Sequence, residues 1–196
     1  NLKMTSAQDA LKMIKDKDIK YVDFRFTDPR GKWQHVTFDQ SLVDAEIFAE
    51  GLMFDGSSTA GWKVINESDM TLMPDPSSYH TDPFYAQPTA VLFCDILDPG
   101  TGEAYGRDPR MTAKKAEAYV KQSKLGDTIN VGPEAEFFVF DDVRFSSDPY
   151  NTGFRLDSIE LPTNTGTEYE MGNLGHRMRK KGGDFPVNPQ DSAQDL

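Results

Sequence analysis

Glu134 and Glu136 stand two positions apart in Gly132-Pro133-Glu134-Ala135-Glu136-Phe137-Phe138-Val139-Phe140. Along a strand that spacing puts two side chains on one face, roughly 6.5–7 Å apart. Phe138 and Phe140 extend the same face, and Ala135, Phe137 and Val139 make up the other, so the run predicts a strand buried on both sides. Unpaired charge in such a place is very costly, and the two carboxylates call for a positive partner. A hard cation such as Mg²⁺ or Mn²⁺ would serve, because carboxylate oxygen suits both ions. An acid/base pair for glycoside hydrolysis is a second chemistry. A strand whose first residues reach solvent is the plainest reading. Spacing alone does not separate the three.

Asp55 lies in Met53-Phe54-Asp55-Gly56-Ser57-Ser58. Asp-Gly followed by serines is an ordinary turn, since Asp bonds the backbone ahead of it and Gly tolerates positive φ. The alternative is an Asp55 that reaches from the loop to hold a cation or accept a proton. Arg177, Arg179, Lys180 and Lys181 form a basic run, read as a solvated turn or as an anion contact. His35, His80 and His176 show no metal-ligand spacing and receive no role. Cys94, the single cysteine, excludes an intrachain disulfide framework and a cysteine-built zinc site. Its apolar surroundings predict a plain buried thiol.

The elements that must position these residues follow from periodicity. Residues 5–17 carry Ala7, Ala10, Leu11 and Ile14 at helical spacing behind a Thr5 or Ser6 cap. "YVDFRFTD", "PRGK" and "WQHVTFD" predict a hairpin over 21–39. A short helix is predicted over 41–50 and a loop over 52–62. Strands are predicted around Asp69–Met73 and Thr89–Leu97, with a Gly- and Pro-rich linker over 98–110. A helix over 109–124 begins with Pro109. A strand at Thr128–Val131 precedes the glutamate strand, and the tail from 145 reads as mostly irregular. Strands and helices do not alternate as βαβ units, which makes the class α+β. No phosphate-binding glycine loop and no Gly-x-Ser-x-Gly elbow is present in the sequence.

The chain has 196 residues, 37% of them hydrophobic, and a net charge of −11. That length and apolar content suffice for a real core. The acidic balance argues against nucleic acid and against anionic membrane surfaces. No apolar run approaches the roughly 18 residues of a membrane span, and no signal-peptide pattern opens the chain. A reducing, cytoplasmic setting is expected. The final "PQDSAQDL" reads as the start of a helix, so a piece of a longer polypeptide is expected.

Five segments in order, "FRFTDPRGKWQHVTF" (24–38), "EGLMFDGSSTAGWKVINESDMTLMPDP" (50–76), "CDILDPGTGEAYGRDPR" (94–110), "GPEAEFFVFDDVRF" (132–145) and "KGGDFPVNPQDSAQDL" (181–196), closely resemble bacterial type I glutamine synthetase. The resemblance implies a β-grasp N-terminal domain over 1–106 and the beginning of a catalytic domain over 107–196. It implies ATP-dependent joining of glutamate and ammonium through γ-glutamyl phosphate, with ATP as co-substrate. Glu134 and Glu136 would each ligate a different one of two Mg²⁺ or Mn²⁺ ions. Asp55 would bind ammonium and remove its proton. The family pattern also implies a homo-oligomer of two stacked hexameric rings, with sites between subunits, so that Asp55 and the two glutamates of one chain serve different sites. Two positions depart from the pattern, Asp184 where a tyrosine is usual and Met178 where a proline is usual. The resemblance places further metal, nucleotide and substrate ligands beyond residue 196, so the 196 residues alone are expected to be inactive. The alternative is a short, catalytically inactive relative that binds or regulates full-length rings.

Overall fold

The computed structural model describes residues 6–59, 61, 69–137, 140, 142–157 and 187. The chain divides into two compact units, residues 1–130 and 131–196.

The first unit is built on one mixed sheet. Strands β1 (Tyr21–Thr27) and β2 (Trp33–Asp39) form the expected hairpin, in register from Tyr21↔Asp39 to Thr27↔Trp33. Asp28 closes its turn by accepting from the backbone N–H groups of Arg30 and Lys32, both at 2.9 Å. The sheet continues with β3 (Leu52–Asp55), β4 (Asp69–Pro74), β5 (His80–Asp82) and β6 (Thr89–Leu97). Its order is β2-β1-β6-β4-β3, with β5 also pairing β6. The β1–β6 pair is parallel, and the other pairs are antiparallel. Strand β6, at the centre, reads Thr-Ala-Val-Leu-Phe-Cys-Asp-Ile-Leu and buries Thr89 to Leu92, Cys94 and Ile96. Its near-continuous apolar run reflects cover on both faces.

Helices α1 (Ala7–Asp16) and α2 (Ala45–Glu50) supply Ala10, Ile14 and Ile47 to a core shared with Val22, Phe24, Phe26, Leu72, Leu92 and Ile96. Ser6 caps α1 by accepting from the Asp9 N–H, and Asp44 caps α2 through Glu46 and Ile47. Helix α2 stops at Gly51, whose φ of +82° is the left-handed region that glycine reaches most readily. Residues 52–62, expected as a loop, thus begin with a strand. Four residues of "LMFD" give too short an alternation to be read.

The stretch over 98–110 is not a loose linker. Leu97 bridges Ala104, and Tyr105 donates its N–H to the Ile96 carbonyl at 2.8 Å. Buried Asp108 accepts from the N–H groups of Ile96 and Arg110, at 3.0 and 2.9 Å, and so caps α3 (Pro109–Gln122). Helix α3 buries no side chain. Ion pairs hold its first turns: Arg110 joins Asp75 and Asp95, and Lys114 joins Asp95. The expected helix over 109–124 is therefore present, but its apolar positions are not what fastens it.

The sheet's other face carries a buried charge. Asp23 is fully buried and accepts from Arg25 Nε at 2.7 Å and Thr37 Oγ1 at 2.7 Å, with His35 Nδ1 at 2.6 Å. Arg25 continues to Asp82 at 2.9 Å. Burial pushes the Asp23 carboxyl up, but the hydrogen bonds from His35, Thr37 and Arg25 outweigh it and hold the group below the usual carboxylate range. The charged form is thus favoured in the fold. Its stabilisation is complete above an unfolded value of about 3.9 and drains away as pH falls through the lower folded value. Asp23→Asn is expected to cost about 1–3 kcal/mol at pH 7. Urea unfolding at pH 7 and pH 3 should show the difference between the variant and the parent shrinking in acid.

In the second unit, β7 (Asp142–Asp148) and β8 (Asn151–Asp157) form an antiparallel hairpin around Pro149 and Tyr150, in register from Asp142↔Asp157 to Asp148↔Asn151. The tail from 145, expected to be irregular, therefore opens with regular structure. Apolar alternation is confined to Val143 and Phe145 in one strand and Phe154 and Leu156 in the other, too short a period to mark the pair by itself. The strands expected at Thr128–Val131 and from 132 are absent among the described residues. Residues 127–137 carry no regular structure, and 131–137 are exposed. A strand needs a neighbour for its N–H and C=O groups, and none pairs with this run among the described residues.

Candidate functional site

Asp55 is the last residue of β3, directly opposite Asp69, the first residue of β4. Phe54, one position earlier, packs its ring on Phe26 at 5.0 Å and ties the strand end to the core. Asp55 then turns the chain. Its carboxylate accepts from the Ser57 N–H at 2.8 Å and the Ser57 hydroxyl at 2.6 Å, capping a single 3-10 turn over Gly56–Ser58. The turn closes with the Thr59 N–H on the Gly56 carbonyl, and both Thr59 and Gly56 are buried. The side chain of Asp55 is exposed at the mouth of this turn. The turn reading of the Asp-Gly motif is met, with Ser57 as the residue ahead that Asp55 bonds.

Asp69 escaped the sequence reading. Its only mark there is an aspartate directly before the apolar run Met70-Thr71-Leu72-Met73. Like charges facing each other across a hairpin are unfavourable unless something positive lies between or beside them.

Six positions past Asp55, Gly61 has φ of +87°, and its carbonyl accepts from Arg107 Nη1 at 2.7 Å. Arg107 belongs to the tethered stretch before α3. This contact spans 46 positions and was not legible in the sequence.

Glu134 and Glu136 are both exposed, in the segment without regular structure. The expectation that a buried strand carries them is not met, and what remains is two solvent-facing carboxylates. Their donor chemistry fits Mg²⁺ or Mn²⁺, and among the described residues neither is taken up by an ion pair or hydrogen bond. The number of ligands is short of a complete site. No group of three or more His, Cys, Asp or Glu side chains able to hold a metal occurs among the described residues. Asp55 belongs to the first compact unit and the glutamates to the second. The basic run with Met178, and Asp184, lie outside the described residues.

The remaining candidates are structural. Cys94 is buried, and burial pushes its thiol far above its ordinary value, so it holds its proton and is chemically quiet. His35 and His80 contact Asp23 and the Ser78 carbonyl, and they do not converge on a shared site. No helix among the described residues is long and apolar enough to cross a membrane.

The glutamine synthetase β-grasp domain matches residues 18–99, and the glutamine synthetase catalytic domain matches residues 106–196. Glutamine synthetase of Bradyrhizobium diazoefficiens is 73% identical over 193 residues, covering 98% of this chain and 41% of the relative. The Rhizobium meliloti enzyme is 68% identical over the same shares, and that of Escherichia coli is 54% identical over 191 residues. The chain thus spans about two fifths of the length of the curated relatives it matches. In three dimensions it resembles the glutamine synthetase of Plasmodium falciparum, with a TM-score of 0.78 over 100% of this chain and 39% of that one, at 24% identity. That likeness concerns the fold. Two successive domains of one family, met in order along an α+β chain with a β-grasp sheet, leave a single assignment: the chain belongs to the glutamine synthetase family.

Proposed function

We propose that this chain is the N-terminal portion of an enzyme that joins ammonium to glutamate at the expense of ATP. Asp55 is its ammonium-binding and proton-accepting residue. The observation that carries the reading is the end of the β3–β4 hairpin, where exposed Asp55 faces Asp69 across the strand pair. Two carboxylates there favour NH₄⁺ over neutral molecules, and Ser57 fixes the orientation of one of them. Asp55 would take one proton from the bound cation. The freed ammonia then forms a C–N bond at the γ-carbon of γ-glutamyl phosphate, the C–O bond to the phosphate breaks, and inorganic phosphate leaves carrying the surplus proton of the new amide nitrogen.

Glu134 and Glu136 are proposed as ligands of two Mg²⁺ or Mn²⁺ ions, with further ligands supplied from outside the described residues. Bound there, such ions supply neutralisation of phosphoryl charge and orientation of substrate. As the resemblance implies, the enzyme would be a cytoplasmic homo-oligomer of stacked hexameric rings, with each site between subunits. The domain boundary is proposed near residue 106, supported by the two family matches that end at 99 and begin at 106.

The test is direct. A polypeptide of the relatives' full length should release phosphate only when ATP, glutamate and ammonium are all present, and the purified 196-residue chain should release none. Failure of the full-length polypeptide would sink the reading and favour the inactive relative. Turnover by the short chain would show that the site is complete within it.

A further inference from the structure

We propose that Arg107 is a positioning residue for the Asp55 turn, acting through the carbonyl of Gly61. The inference rests on the role proposed above for Asp55, but its physical part stands apart from that role.

Strand β3 ends at Asp55 and β4 begins at Asp69, and the two residues pair directly. After Asp55 the described contacts include Asp55 on Ser57, Thr59 on Gly56, and Arg107 on Gly61. The first two are local, within four positions, and would move with the turn as a body. Arg107 is different, since its contact spans 46 positions and joins the turn to another part of the sheet. A guanidinium on a carbonyl is a charge-assisted bond, stronger than a neutral one.

A pin is useful only if its own base is fixed, and the base of Arg107 is. Two positions before it, Tyr105 donates to Ile96 on central strand β6 and packs against the core. One position after it, Asp108 is buried with its carboxylate on the N–H groups of Ile96 and Arg110. Its backbone N–H is also bonded, to the Tyr105 carbonyl at 3.1 Å. The backbone that carries Arg107 is therefore held on both sides against the middle of the sheet. The receiving end is shaped too. At φ of +87°, Gly61 holds a backbone conformation that residues with a Cβ reach only with strain, and this conformation accompanies the carbonyl that Arg107 meets. Arg107 thus carries the rigidity of β6 to the far side of the turn that Asp55 begins.

The experiment uses the full-length enzyme and the variants Arg107→Ala, Arg107→Lys and Asp55→Ala. Hydrogen exchange of residues 56–59 and 61 tests the pin. Arg107→Ala should exchange roughly tenfold faster there, with exchange in β6 unchanged. Arg107→Lys, which keeps a charged donor, should recover most of the protection. Unchanged exchange at the turn would overturn the proposal. Steady-state kinetics test the positioning. Arg107→Ala should raise KM for ammonium about tenfold and leave KM for glutamate and ATP within about twofold. Equal changes for all three substrates would mark a merely structural arginine and count against it. If Asp55→Ala shows no defect specific to ammonium, the role given to Asp55 fails, while the exchange result still decides whether Arg107 pins the turn.

Discussion

Asp55→Ala in the full-length enzyme is expected to lower kcat/KM for ammonium by roughly 10²–10⁴, the usual worth of a positioned proton acceptor. Formation of γ-glutamyl phosphate from ATP and glutamate should change far less. The asymmetry follows from where the residue sits. Asp55 is exposed at the end of β3, bonded to Ser57 and facing Asp69, so its loss would remove half of the proposed ammonium site without opening the core. Asp55→Asn keeps an acceptor for the Ser57 N–H and should preserve the turn, but it cannot take a proton. It should therefore share the kinetic defect of the alanine variant without added instability. Phosphate release measured against ammonium concentration, beside ADP formation without ammonium, separates the two steps. Equal losses in both would dismiss the assignment.

The second large effect concerns the metal. Glu134→Gln and Glu136→Gln, each made in the full-length enzyme, are expected to weaken Mn²⁺ binding by at least roughly 10–100-fold. That is the loss typical of groups that only support a ligand, and a ligand should cost no less. Both side chains are exposed in a segment without regular structure, and glutamine matches glutamate in size. Folding should therefore be unaffected, and thermal unfolding of the metal-free variants should match the parent. Titration followed by manganese paramagnetism reads the affinity directly. Unchanged curves for both variants would remove these residues from the metal site.

What could be read before any coordinates depended on where the burial signal lived. The hairpin over 21–39 and strand β6 were legible because apolar alternation in one, and an unbroken apolar run in the other, report directly on cover from the sheet and the helices. Strands β3 and β5 were not, since four and three residues are too few for a period to show. The glutamate run failed in the opposite direction. Its alternating phenylalanines state a need for cover, but a sequence does not name what supplies it, and no described strand does. Asp23 marks the limit for single residues. In "YVDFRFT" it falls on the polar phase, which predicts solvent, yet Arg25, Thr37 and His35 close over it completely. Of the candidate site, Asp55 was found through its motif. Asp69 and Arg107 were not, because their part is set by pairing and by a long-range bond that leave no local trace.

The parallel pairing of β1 with β6 has a consequence for how the protein is made. Tyr21 lines up with Thr89, so β1, synthesised well before β6, waits for that strand before the middle of the sheet can close. At ordinary rates of synthesis the gap between the ends of β2 and β6 lasts roughly 3–12 s. Throughout it the nascent hairpin presents Val22, Phe24 and Phe26 without their lid. Chaperone demand in the cell should therefore peak over that interval and drop once Leu97 has cleared the exit tunnel.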